Sequence, residues 1–517
     1  MAHSIKGWIG VGLACVCLGC AAEQPYLSPA SLHSDISIQN GLPKSASPTE
    51  AVKEKLDEGS VELASHSQWD PEAFDSGLTN PDANNEEESH LELANAEIPS
   101  EQLENPAGLK VRSGYASLDD LLAVAFANNP SIKALAATTQ KAAGYRTQVG
   151  LYANPLLGYQ GQQLADQGTD QHIAFIEQEI VTGGKLRLNR VVLNEALRAQ
   201  LQELEAQKLR VATDIKIAFY DCLRLQEQIV AIDGFSGLLQ QGVQAAEERR
   251  KAGEGTQIDV LQTRVQRQQL ELDRRQGMAT LEARLKEISS LCGSPSLILE
   301  GVVGELPVQP QSLDWRSLEE ELVTSSPEYA AAQARIRQAT ASLRRQRVQP
   351  IPNLAVQLGA GVDNGTDSGM LNLQVGAPIP VFNRNQGNIA AANAEYCRAI
   401  EDARRIDNAI RARLAVASGE YARAAEAVNM YSGELLPAAQ QTLDMAETAY
   451  KGGEQDFIQL LVTRRTYFDT RLAAIASRAE LAMAQSRVDG YLLSGALNSV
   501  IDGSGDDSLR GLTLGQQ

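Results

Sequence analysis

The sequence predicts a mainly α chain with a small β part, built as two copies of one unit. Three observations carry that expectation: near-constant internal offsets, two long proline-poor helical runs, and pairs of period-two segments ahead of each run. Asn129-Pro130 recurs as Ser326-Pro327, and Pro155 as Pro352, both 197 residues on. Tyr220 and Tyr421 lie 201 apart, and Lys251-Ala252-Gly253-Glu254 recurs at 200 as Lys451-Gly452-Gly453-Glu454. So long a period is not a solenoid repeat; each copy is a domain-sized half. The halves are placed at 114–300 and 301–495, after an export signal at 1–20 and an acidic leader at 21–113, with a flexible tail at 496–517.

In chain order, Lys6 precedes an apolar stretch from Gly7 to Gly19. It is too short to span a bilayer as a helix and reads as a signal peptide. It ends in Leu18-Gly19-Cys20-Ala21, which resembles a bacterial lipobox and implies acylation at Cys20. Ordinary cleavage after Cys20-Ala21-Ala22 is the other reading, and both take the chain out of the cytoplasm. Residues 23–104 then hold 18 acidic and 3 basic side chains. Little apolar surface is available there to offset the entropy of ordering, so the leader reads as a disordered tether, with a partner-binding arm as the alternative.

Each half opens with two helices, at 118–128 and 131–152, then at 314–325 and 327–348. Alternation follows. Leu354, Val356, Leu358, Ala360 and Val362 interleave with small or polar residues, as do Leu371, Leu373, Val375 and Ala377. The counterparts at 156–164 and 172–180 are weaker, because Ile173, Phe175 and Glu177 interrupt the alternation. Runs of about nine residues suit a tilted transmembrane strand. Four strands cannot seal themselves in lipid, where open edges are not tolerated. They belong either to a soluble sheet or to a barrel shared by several chains.

The helical runs 186–251 and 386–451 come next, each about 98 Å long at 1.5 Å per residue. Pro437 should kink the second. Tip turns at Gly253, Gly255, Gly452 and Gly453 reverse the chain, which returns over 257–291 and 456–494. A coiled-coil spacer would have the same helices, but it leaves the strand pairs at the opposite end unexplained.

Composition removes several functions. The formal charge is −19, mostly in the leader, and no basic patch is visible along the chain, so no nucleic-acid partner is expected. Of six cysteines the one CxxC pair, Cys17 and Cys20, falls in the export signal, the body has only isolated cysteines, and only His172 lies there, which argues against a disulfide framework, a metal site or a cofactor. Acidic residues are spread along helix faces rather than gathered with a base and a nucleophile, so no enzyme is expected.

The order of elements and one stretch are specific. Pro378-Ile379-Pro380-Val381-Phe382-Asn383-Arg384-Asn385-Gln386-Gly387-Asn388-Ile389 resembles the strand-to-helix signature of the heavy-metal branch of the TolC-like outer-membrane efflux family. Val181-Thr182-Gly183-Gly184-Lys185-Leu186-Arg187, Asn154-Pro155 and the two tips are similar to the family's other markers, over about 117–495. The resemblance implies a homotrimer with a 12-stranded β-barrel in outer-membrane lipid and a helical cylinder through the periplasm. It also implies a periplasmic adaptor protein and an inner-membrane pump of the resistance–nodulation–division type as partners, and passive export of metal ions or small toxic compounds. A gate at the helical tips is implied too: Tyr450 and Asp259 occupy the places of a family tyrosine–aspartate bond, and Gln455 stands where the family has an arginine. Gln459 and Val462 replace constriction-ring acids, leaving Glu454 and Asp456 as substitutes, with helix capping as the other role for Asp259 and Asp456. The alternative function is a periplasmic adaptor of the same pumps, which would have one hairpin rather than two.

Overall fold

The computed structural model describes residues 114–165, 168–499 and 502–503. The signal segment with Cys20, the leader and most of the tail lie outside the described residues. The described chain begins with β1 (Gly114–Ala116), α1 (Leu118–Asn128) and α2 (Pro130–Gln148), then the hairpin β2 (Leu156–Gln162) and β3 (Gln171–Ile180). Next come α3 (Lys185–Ala252), α4 (Gln257–Leu291) and β4 (Leu299–Val302). The second half repeats the order as α5 (Trp315–Ser325), α6 (Pro327–Val348), β5 (Leu354–Asp363) and β6 (Ser368–Gly376). It ends with α7 (Gln386–Met430), a π turn (Tyr431–Leu435), α8 (Leu436–Lys451) and α9 (Phe457–Asp489). Among the described residues, no helix is long and apolar enough to cross a membrane.

Local chemistry explains most boundaries. Ser117 and Asp120 close a capping box on α1, and Asp314 caps α5 by accepting from the Arg316 N–H at 3.1 Å. Pro130 and Pro327 start α2 and α6, where a missing N–H costs nothing. Three expected boundaries shift. α2 stops at Gln148 rather than 152, because the approach to Asn154-Pro155 requires extended backbone. β6 starts at Ser368 rather than 371, because Asp363 Oδ1 accepts from the Gly365 N–H at 2.8 Å and tightens the turn. α9 stops at Asp489 rather than 494, because Tyr491 and Leu492 take φ of 55° and 60° and Leu492 N–H closes onto the Arg487 carbonyl.

The interruption expected at Pro437 appears one turn earlier, as the π turn Tyr431–Leu435. Proline cannot donate and crowds the carbonyl four residues before it, and a wider turn relieves that conflict. Two short strands had no signal in the sequence. β1 and β4 pair in parallel, with Tyr115 opposite Gly301, so the start of the first half is sewn to its end.

The main core lies where α1, α3, α4 and α9 meet. Leu121, Ile215, Leu270 and Ile288 are fully buried, each worth roughly 1.5–3 kcal/mol of apolar transfer. Phe235 of α3 stacks on Phe468 of α9 at 4.5 Å between ring centroids, joining the two halves. The duplication extends to ion pairs: Arg264–Glu247 bridges the first helical hairpin at 2.5 Å and Arg464–Glu447 the second at 2.8 Å. Of the expected tail, Ala496 is buried. Asp214 accepts from the Gly495 and Ala496 N–H groups, and Gln207 donates to the Ala496 carbonyl at 2.7 Å.

Candidate channel wall, junctions and tips

The four long strands form one antiparallel sheet in the order β2-β3-β5-β6, so the two hairpins join through β3 and β5. Register decides what each face carries. Val356 pairs with Val375, Leu358 with Leu373 and with Ile176, and Ile176 with Leu157, which makes one continuous apolar face. It is uncovered in the single chain: Leu371, Leu373 and Val375 are 77%, 66% and 60% exposed. The other face is polar, with Glu177, Gln357 and Gln374 in one cross-strand row.

Ile173 and Phe175, which interrupt the sequence alternation, lie on that polar face among glycines. Phe175 is paired with Gly158 and Gly359, and Ile173 with Gly361. A Cβ at Gly158 would lie 2.3 Å from the Phe175 ring, and one at Gly359 2.7 Å from Ile173. The large side chains fill space the glycines leave open. Alternation therefore holds in the fold where it fails in the sequence. At the far end, His172 ties the Tyr159 hydroxyl at 2.5 Å to Asp170 at 2.7 Å.

The strand-to-helix junctions use one device twice. Gly184 precedes α3 with φ 64°, and Asn385 precedes α7 with φ 62°, both left-handed. Glycine and asparagine are the residues that tolerate this, which is why the two signatures differ in letters but agree in shape. Asn385 is also a buried connector: its Nδ2 donates to the Gln346 carbonyl at 2.8 Å and to Gln346 Oε1 at 2.9 Å. In the first half Lys185 plays that part, donating to the Ile351 carbonyl and to Asn353 Oδ1, whose amide reaches Glu179. Burial holds the Lys185 ammonium below its ordinary pKa, with Arg345 adding to the effect.

Of the other signature residues, Pro378, Pro380, Asn383, Arg384 and Gly387 lie along the connection and the first turn of α7, with Asn383 accepting from the Asn385 N–H at 2.9 Å. Phe382 is 94% exposed. Cys222 and Cys292 are buried in the helical core, which pushes their thiols up to about 12, whereas Cys397 is exposed. A cleft of about 620 Å³ beside the π turn has an apolar wall that includes Leu223 and Ile475, with Arg471 and Arg478 at its edge.

At the helical tips, Gly253 and Gly453 take φ of 80° and 77°, and the following Glu254 and Glu454 N–H groups close onto the Arg249 and Ala449 carbonyls. Gly452 has an ordinary φ of −77°. Gly255 has another reason for its size, since a Cβ there would sit 3.2 Å from Arg249. Asp259 forms a capping box with Thr256, whose N–H it accepts at 2.8 Å, and Asp456 caps α9 through the Gln459 N–H at 3.0 Å. Tyr450 packs beside Phe457, with ring centroids 6.1 Å apart. Among the described residues no hydrogen bond joins Tyr450 to Asp259 within the chain. Glu454 and Asp456 are exposed and Gln455 is partly covered.

Residues 318–492 match the outer membrane efflux protein family. The cobalt-zinc-cadmium resistance protein CzcC of Cupriavidus metallidurans is 26% identical over 383 residues, covering 74% of this chain and 90% of that protein. The pyoverdine export outer membrane protein OpmQ of Pseudomonas aeruginosa is 24% identical over 332 residues, covering 60% and 66%. Among solved structures, the outer membrane protein VceC of Vibrio cholerae superposes with a TM-score of 0.60 at 17% identity, covering 73% of this chain and 96% of its own.

The left-handed junction residue sets a graded expectation. Asn385→Ala loses the bonds to buried Gln346 and strains the left-handed backbone, destabilising the fold by about 2–4 kcal/mol. Asn385→Gly avoids the strain and should lose roughly 1 kcal/mol less. Thermal unfolding followed by helical circular dichroism ranks the two variants, and equal melting would refute the left-handed requirement.

Proposed function

We propose, on the match of residues 318–492 to the outer membrane efflux protein family, that the chain is the outer-membrane channel of an efflux pump. The observation that carries the reading is the four-stranded sheet, apolar on one face, polar on the other and open at both edges. Lipid-facing strands alternate apolar-out and polar-in, and an unpaired edge inside a bilayer is too costly to persist. Three chains of four strands would close a 12-stranded barrel and leave no edge, with β6 of one chain meeting β2 of the next. The helical hairpins would then surround a periplasmic duct, since α3, at 68 residues, is about 102 Å long.

Cargo would pass along the axis unchanged, driven by an inner-membrane pump through a periplasmic adaptor. The relatives' names point to metal cations in one case and pyoverdine in the other. The strand-to-helix signature supports the first, so metal ions are the proposed cargo. A lipid anchor at Cys20 would place the N-terminus on the periplasmic leaflet.

The proposed gate is at the tips. Tyr450 and Asp259 stand one on each hairpin, and Glu454 and Asp456 place carboxylates at the second tip. Three copies around an axis would concentrate negative charge there and favour cations. Asp259 serves its helix start in the single chain, so its gating partner would come from the assembled ring.

Two measurements test these proposals. Leu373→Arg, on the apolar face, should cost about 2–4 kcal/mol per chain at mid-membrane and abolish heat-resistant oligomers in detergent. Gln374→Arg, one residue along and on the opposite face, should leave assembly intact and shift ion selectivity towards anions. Equal tolerance of the two arginines would overturn the barrel. For the gate, Tyr450→Phe with Asp259→Ala should raise single-channel conductance in planar bilayers, and unchanged conductance removes these residues from it.

A further inference from the structure

The fold gathers positive charge that is scattered in the sequence. Residues 121–165, 180–194 and 329–362 contain no Asp or Glu, and these three stretches meet where strands give way to helices. Their meeting is fixed by contacts: Arg190 of α3 donates to the Gly150 carbonyl at 2.8 Å, Arg345 of α6 to Asn189 of α3 at 2.6 Å, and Asn385 to Gln346 of α6. The helix-side ends of the four strands, paired at Leu156–Glu177, Ile180–Leu354 and Ala355–Gly376, sit at one level, where Glu179 is already engaged by Asn353. At that level Arg187, Arg190, Arg344, Arg347 and Arg384 are exposed. No hydrogen bond or ion pair engages the side chains of Arg344, Arg347 or Arg384 among the described residues.

Helix electrostatics accounts for only part of the cluster. Arg344 and Arg347 lie in the last turns of α6, where a cation is favoured. Arg187 and Arg190 lie in the first turns of α3, and Arg384 just precedes α7, where the helix end is itself positive; neither helix has an acidic residue in its first turn. Arg384, beside the positive end of α7 with its side chain unengaged among the described residues, is therefore free to take an anion from outside the chain. Beside it the same level exposes apolar and aromatic side chains: Tyr152 at 69%, Ile379 at 82% and Phe382 at 94%. Aromatic residues favour the membrane–water boundary, and basic residues near it attract anionic headgroups.

We propose that this belt binds the phosphate groups of anionic phospholipids in the periplasmic leaflet, setting the depth of the channel in the membrane. The proposal rests on the outer-membrane reading. It gives the exposed Pro378–Phe382 connection a role, as an apolar wedge between headgroups and the first acyl carbons, continuous with the apolar face of β6. Arg344, Arg347 and Arg384 supply the charge beneath it.

The test uses the full-length protein in vesicles of phosphatidylcholine alone or mixed with phosphatidylglycerol, with bound lipid counted by native mass spectrometry. The wild type should retain phosphatidylglycerol over phosphatidylcholine. Arg344→Gln, Arg347→Gln and Arg384→Gln combined should lower that preference about tenfold or more, whereas lysine at the same three positions should keep most of it. Lipid counting on the wild type alone tests the belt even if the glutamine variant fails to fold. Insertion with no lipid preference, or equal retention by wild type and glutamine variant, overturns the belt and leaves the channel reading standing. Displacement of the lipid by millimolar inorganic phosphate would overturn the lipid assignment in favour of a soluble anion. Failure to enter vesicles of either composition overturns the channel reading, and the belt with it.

Discussion

An unpaired backbone edge is the constraint on which this structure turns. β2 and β6 each pair on one side only, and the sheet between them presents an uncovered apolar face. In water such a sheet invites aggregation, and in lipid its free N–H and C=O groups cannot be satisfied. The single chain is therefore an incomplete object in either solvent. In the proposed barrel the polar row of Glu177, Gln357 and Gln374 on the other face would line the water-filled interior.

The junctions carry that constraint into the helices. Each long helix must leave its strand at an angle the extended backbone does not supply, and a left-handed residue provides it at Gly184 and Asn385. Buried polar groups then lock the angle: Lys185 to the Ile351 carbonyl in one half, Asn385 to Gln346 in the other. Because buried polar groups without partners are costly, these bonds hold the strand and helix regions in one orientation. Exposed ion pairs such as Arg264–Glu247 contribute less, since solvent screens them.

The two halves have diverged in chemistry while keeping geometry. The tips show it: Gly253 and Gly453 share one backbone conformation and one hydrogen-bond closure, yet α4 starts with a Thr256–Asp259 box and α9 with Asp456 alone. The π turn ahead of Pro437 has no equivalent in α3, so the second hairpin is the one with a built-in irregularity.

Period and punctuation in the sequence were enough for the element order, the duplication, the two long hairpins and three of the four long strands to within a residue or two, because helix and strand periodicity are local properties. The residue types at the tips and junctions were legible for the same reason. Pairing was not local. Register placed Phe175 and Ile173 over glycines from other strands, and the brief β1–β4 pair joins residues almost two hundred apart, with too few side chains to show alternation. The arginines of α3, α6 and the strand-to-helix connection read as scattered charges along the chain. Only the packing of α6 on α3 brought them to one level, because electrostatic proximity is a matter of distance in space, and only the tertiary structure sets it.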